Sequence, residues 1–187
     1  MASRDSESVT RVKTALKAAG LDDRVVDVDA KAVSAADRAK ALEVEPGAIV
    51  EAALYAVGKR MVLVLAAGDH KVVEANLPAA FSLEGAVRKP AAAEVKGVTG
   101  FAVRSMPPVG QPHPLPTVID RSLKRFERLY ASAGEPGRAF KTTMGDLKRL
   151  TGGIVSWNVA RPREGEASVP PLRRLKTFSG ERTLPEG

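Results

Sequence analysis

Val9, Val12, Leu16 and Ala19 recur at helical spacing, and Gly20 ends the pattern, so the chain opens with an amphipathic helix. Residues 24–29, with Val25, Val26 and Val28, predict a short strand. Ser34 with Asp37 three positions on has the form of a capping box, with Asp as a shorter partner than the usual Glu. A helix to about Val44 is expected there, with Ala36, Ala39 and Leu42 facing inward and Pro46-Gly47 closing it. Runs 48–57 and 61–67 are apolar on both faces and are separated by Gly58-Lys59. They predict two buried central strands joined by a type II′ hairpin turn.

Short helices are expected over 72–80 and 90–97, the second with Pro90 near its first turn. Residues 100–113 are the least regular stretch, and 115–119 return to a strand that ends at Asp120. Residues 126–132 and 138–142 predict two strands around Gly134-Glu135-Pro136-Gly137. Thr143, with Asp146 three on, caps a last helix through Leu150, closed by Gly152-Gly153. Val155, Trp157 and Val159 alternate with Ser156 and Asn158, which predicts a final strand. Helices and strands mix without regular βα alternation, and no repeat or phosphate-binding glycine motif stands in a strand-to-helix setting. The expected fold class is mixed α/β (α+β): one curved, mostly antiparallel central sheet with flanking helices. It is assigned to 1–159, with 160–187, rich in Arg, Glu, Pro, Ser and Gly, as a flexible C-terminal tail.

Composition narrows the chemistry. The 187 residues contain no cysteine, which excludes disulfides, thiolate metal sites and a cysteine nucleophile. Aromatics are only 4%, so the core must be aliphatic and base stacking has few donors. The net charge of +7 suits an acidic partner, nucleic acid first, and equally suits an ordinary basic enzyme. No apolar run is long enough for a membrane span, and residues 1–8 lack the apolar stretch of a secretory signal, so a cytoplasmic chain is expected.

Glu51 stands among Ile49, Val50, Ala52, Ala53 and Leu54. A carboxylate inside such a strand is costly unless it is paired, protonated or lining a pocket. The other reading puts it at the strand's solvated edge. Ser105-Met106-Pro107-Pro108-Val109-Gly110 is a stiffened loop that walls a pocket or simply crosses between strands. Asp120 either caps the turn that follows it or faces the pocket. His70 falls in a turn, and His113 lies by the proline loop; neither has ligand-like neighbours, so no metal is expected. Residues 121–149 carry eight Lys/Arg against three Asp/Glu, and Lys124, Arg125 and Arg128 are spaced to share a surface, either phosphate-contacting or merely solvated.

These pieces, in their order, resemble the YbaK-like aminoacyl-tRNA deacylases, a family related to the editing domain of bacterial prolyl-tRNA synthetase. The resemblance spans about Val9 to Val159, and its pieces run from Ala18-Ala19-Gly20-Leu21 through Gly47-Ala48-Ile49-Val50 and Gly68-Asp69. It continues through Thr99-Gly100-Phe101, Pro107-Pro108-Val109-Gly110 and Pro116-Thr117-Val118-Ile119-Asp120. It ends at Leu147-Lys148-Arg149-Leu150-Thr151-Gly152-Gly153. It implies a mixed-sheet fold, aminoacyl-tRNA as substrate, hydrolysis of a mischarged ester in trans, no cofactor, and an aminoacyl-tRNA synthetase as an optional partner. It also implies a pocket between the central strands and the Gly-x-x-Pro-x-Gly loop. Glu51 becomes the candidate catalytic residue. Thr99, Gly100, Phe101, Ser105, Pro107, Pro108, Gly110 and Asp120 become candidate substrate-binding residues, and Lys124, Arg125 and Arg128 candidate tRNA-backbone contacts.

Two departures from that pattern matter. The family's lysine falls on Glu51, and the first glycine of the loop is Ser105. The site charge is reversed, since a carboxylate would repel a phosphate and could help only by accepting a proton. Three functions follow as alternatives: an editing hydrolase with an atypical site, an inactive tRNA- or amino-acid-binding protein on the same fold, and an enzyme for a cationic small molecule.

Overall fold

The computed structural model describes residues 4–22 and 24–164. Helix α1 (Glu7–Ala18) starts at Ser6, whose hydroxyl accepts the Val9 N–H, and buries Val9, Val12 and Leu16. After β1 (Val25–Asp27), the predicted capping box opens α2 (Ala35–Leu42): the Ser34 side chain accepts the Asp37 N–H, and Asp37 accepts back from Ser34. The buried face of α2 is Ala35 and Ala39 rather than Ala36, which is exposed. The cap sets the helix phase, and that phase turns Ala36 outward.

Strands β2 (Ile49–Val57) and β3 (Arg60–Ala67) form the expected central hairpin, paired from Val50↔Ala67 to Val57↔Arg60. Gly58 takes φ 57°, as the first position of a type II′ turn requires, and a Cβ there would strike the Glu84 carbonyl. The chain then forms β4 (His70–Val72), a 3₁₀ turn at Glu74–Asn76, and α3 (Leu77–Phe81). Helical structure thus begins after Val73, because Val72 is drawn into a strand pair. Short strand β5 (Val87–Arg88) precedes α4 (Ala92–Thr99), which leaves Pro90 outside the helix. The remaining elements are β6 (Thr117–Asp120), β7 (Leu129–Ser132), β8 (Arg138–Thr142), α5 (Met144–Thr151, capped by Thr143), β9 (Ile154–Ser156) and β10 (Ala160–Pro162).

The main sheet runs β1-β8-β7-β2-β3-β6-β9, with β5 also on β2. Pairs β1/β8, β8/β7, β2/β3 and β2/β5 are antiparallel; β2/β7, β3/β6 and β6/β9 are parallel. The fold is therefore mixed α/β on one mostly antiparallel sheet. A second, two-stranded sheet pairs β10 with β4. Residues 160–162 are thus a paired strand, so the folded part passes the expected boundary at 159, and 165–187 lie outside the described residues.

One sheet face carries Val50, Leu54, Leu63 and Leu65 and packs on α1, α4 and α5 through Val12, Leu16, Val95 and Leu147. Burying side chains of this size contributes about 1.5–3 kcal/mol each. The other face is covered in two patches. Ile49 lies under Ala35 and Ala39 of α2, whereas Tyr55 and Val57 lie under Leu77 of α3, together with Val159. Between the patches, on the same face by strand alternation, stand Glu51 and Ala53.

Candidate functional site

The gap between α2 and α3 continues into a break in the sheet. On the side of β2 away from β3, β7 pairs only as far as Val50 and β5 begins only at Ala56. Among the described residues no strand covers that edge over 51–55. The Gly68 N–H donates to Ile49 O on the β3 side, and the Gly58 N–H donates to Ala86 O on the β5 side. By alternation, the N–H and C=O groups of Ala52 and Leu54 point to the uncovered edge.

A cleft of about 310 Å³ lies there. Its floor is Val50, Glu51, Ala52, Ala53 and Met106, and its walls are Val33, Arg38, Val103, Arg104 and Ser132. Val33 and Val103 are exposed apolar side chains at its rim. Arg38 donates from Nη2 to the Arg104 carbonyl at 2.9 Å and so ties α2 to the opposite wall. The Ser132 hydroxyl donates to Ser105 O at 2.7 Å and fixes the loop against β7. A smaller hollow of about 20 Å³, shared by Arg38, Ser105, Tyr130 and Ser132, lies behind that wall and has room for little more than a water molecule.

Glu51 lines the cleft, and it is neither enclosed nor at a strand end. Its side chain is 36% exposed, and one of its partners is Arg163, whose Nη2 lies 3.2 Å from Oε2. It stays partly exposed because, among the described residues, no helix covers this part of the sheet face. Arg163 follows β10, and its own N–H donates to Asp69 O at 3.0 Å. Asp69 in turn grips Arg125 with both oxygens, at 2.9 and 2.6 Å, and His70 Nδ1 lies 2.7 Å from its Oδ1. Burial pushes the Asp69 carboxyl pKa up, but hydrogen bonds and charge from Arg125 and His70 outweigh it and hold the pKa below its usual value. His70 is therefore packed in β4 and bonded, not exposed in a turn.

The other expected site residues mostly build the scaffold. The Thr99 hydroxyl, fully buried, donates to Val95 O and accepts the Phe101 N–H. Gly100 ends α4 with φ 78°, and Phe101 is a core residue. Ser105, Pro107 and Pro108 are buried in the loop, and only their neighbours Arg104 and Met106 face the cleft. Pro108, Gly110 and His113 line a different groove, beside Ala18 of α1 and Arg149 of α5. Asp120, 1% exposed, accepts the Ser122 N–H on one oxygen and the Ala160 N–H on the other, so its carboxylate caps a turn and holds β10. Lys124 and Arg128 are exposed, whereas the guanidinium of Arg125 is taken by Asp69.

Arg38, Arg104, Arg163, Ser132, Val33 and Val103 carry no local pattern that marks them in the sequence. Arg104 lies in the irregular stretch 100–113, just before the proline loop 105–110. Among the described residues no group of His, Cys, Asp or Glu could hold a metal ion, and no helix is long and apolar enough to cross a membrane.

The comparisons with known proteins agree with this architecture. A solved structure described as a candidate trans-editing enzyme for prolyl tRNA synthetase superposes with a TM-score of 0.75 at 31% identity, over 82% of this chain and 98% of that one. A scaffold protein from computational epitope grafting superposes with a TM-score of 0.76 at 29% identity, over 85% of this chain and 100% of the other. A proline–tRNA ligase of Lysinibacillus sphaericus (strain C3-41) is 30% identical over 96 residues, 51% of this chain; the chain spans only 17% of that enzyme's length. The profile of the aminoacyl-tRNA editing domain matches residues 29–150, a span that holds β2, the cleft loop and the β6 strand end, and the chain belongs to that family.

Proposed function

We propose that the protein is a trans-acting deacylase that hydrolyses the ester of mischarged aminoacyl-tRNA in the cleft between β2 and residues 103–106. The observation that carries this reading is the uncovered edge of β2, which offers the main-chain N–H and C=O of Ala52 inside an apolar-lipped, arginine-walled cleft. Fixed amides aimed at a developing oxyanion stabilise an acyl-transfer transition state without reorganisation. Val33 and Val103 fit the apolar parts of an aminoacyl nucleoside, and Arg38 and Arg104 make the walls basic, which suits RNA in general.

Glu51 belongs to the cleft, but one of its oxygens already accepts from Arg163. The tRNA's own vicinal hydroxyl, next to the ester, is the better-placed helper for the attacking water. Action in the cytoplasm, and cooperation with a synthetase, belong to the same reading.

The test is a panel of mischarged tRNAs incubated with the native chain and with Glu51→Lys, with ester loss followed against buffer. Turnover of at least one by the native chain supports the deacylase. No turnover of any, with tRNA still bound, supports the second reading, a binding protein, which the occupied carboxylate of Glu51 favours. If Glu51→Lys then acquires turnover, the cleft is a dormant hydrolytic site.

A further inference from the structure

Arg163 comes from a segment that sequence alone assigns to a tail, yet it is fixed in place. Pro162 pairs with His70 in the β10/β4 sheet, the Ala160 N–H is held by Asp120, and the Arg163 N–H is held by Asp69 O. The backbone is pinned over the residues leading up to Arg163 and at its own N–H, while the side chain, 44% exposed, reaches across to Glu51. The contact is single, from Nη2 to Oε2 at 3.2 Å, and not the two-pronged grip that Arg125 makes on Asp69. A guanidinium has five N–H donors in a fixed fork, and a single contact at one end steers the fork without covering it.

The charges around the cleft explain why such a pair belongs there. Arg38 and Arg104 are in its walls, and Glu51 is the one acid in its lining among the described residues. Alone, that carboxylate would repel a phosphate passing the rim. Paired with Arg163, it is neutralised, and the pair sets an exposed guanidinium beside the cleft, next to the residue that lines it. We propose that Arg163 is the residue that binds the phosphate group attached to the 3′-terminal nucleoside of the RNA, and that Glu51 is its positioning residue. The inference rests on reading the cleft as an aminoacyl-RNA site and adds to it the group that recognises the backbone anion.

Two stable probes test this. One is an aminoacyl adenosine 5′-monophosphate whose ester is replaced by an amide; the other is the same compound without the phosphate. Calorimetry on the full chain should show the phosphorylated probe bound about tenfold more tightly, the size of one good charge-assisted contact. Arg163→Ala should abolish that preference and leave the unphosphorylated probe within about twofold. Arg163→Lys should keep part of it, because it keeps the charge and loses the fork. Arg161→Ala, two residues earlier on β10, should leave it intact; an equal loss there would mean that β10 has merely loosened and would overturn the assignment. So would an undiminished preference in Arg163→Ala. If the native chain binds neither probe, the cleft reading itself fails and takes this inference with it.

The role of Glu51 separates kinetically on a charged tRNA that the native chain hydrolyses. Glu51→Gln should raise KM several-fold with kcat little changed. A collapse of kcat at constant KM would place Glu51 on the reacting atoms and overturn its positioning role.

Discussion

The buried carboxylate of Asp120, at the end of β6, accepts the N–H of Ala160 at 3.1 Å across 40 residues of sequence. Its second oxygen takes the Ser122 N–H at 2.9 Å. One side chain thereby ends a central strand and anchors the strand that delivers Arg163 to the cleft. Asp120→Asn would keep one acceptor and turn its NH₂ against an N–H. A loss of about 1–3 kcal/mol is expected from the unmet donor, measured by urea unfolding. The same variant should share the weakened phosphate preference of Arg163→Ala, since it frees β10.

Asp69 gives the stability a defined pH dependence. Its folded-state pKa is lowered overall, burial opposing and Arg125 and His70 prevailing. A depressed carboxylate contributes stability that is fully present above its unfolded pKa of about 3.9 and is lost as pH falls through the folded value. Asp69→Asn should therefore be about 1–3 kcal/mol less stable than the native chain at neutral pH, where Arg125 is left half-buried and unpaired. That gap should close progressively as both are acidified below pH 4. A constant gap would show that the loss is one of packing and not of charge.

Two glycine replacements should move stability in opposite directions. A Cβ on Gly68 would lie 2.5 Å from Pro46 O and 2.6 Å from the Ala35 Cβ, where α2 meets the sheet. Gly68→Ala should cost about 1–3 kcal/mol by overpacking. Gly97 lies inside α4 with nothing within 4 Å of its added Cβ. Gly97→Ala should gain about 0.5–1 kcal/mol from reduced freedom of the unfolded chain and better helix propensity. Chemical denaturation of both variants gives the two signs directly.

Trp157 offers a readout of the β9/β10 corner. It is the sole tryptophan of the chain, 68% exposed, with the Arg121 guanidinium 4.7 Å from its ring centroid. Its emission in the native state should lie close to that of solvated indole and shift little on unfolding. Arg121→Ala should change its intensity without changing stability by more than about 1 kcal/mol, because an exposed cation–π contact contributes no more than roughly that. A strongly blue-shifted native spectrum would contradict the placement of Trp157.

Local signals carried much of the architecture. The Ser34-x-x-Asp37 box, Thr143 before α5, Gly58 in the hairpin and Gly152 after α5 each act within a turn of chain, so they are legible in sequence and appear as expected. The apolar runs of β2 and β3 likewise announced a central hairpin, since burial on both faces leaves no polar alternation. The pieces from Ala18-Ala19-Gly20-Leu21 to Thr151-Gly152-Gly153, in their order, point to the family whose profile matches residues 29–150.

The site depended on distant partners. Whether Glu51 is enclosed is decided by where α2 and α3 stop on the sheet, and the open edge of β2 by where β7 ends and β5 begins. Arg163 looked like part of a tail because a three-residue strand has no period to read; its pairing with β4 and its hold on Glu51 exist only once Asp120 and Asp69 have been folded into reach. The sequence determined the elements and the family, because those follow from neighbours a few residues apart. Tertiary structure alone decided that Glu51 meets an arginine 112 residues away, because an ion pair is set by proximity in space and leaves no spacing in the chain.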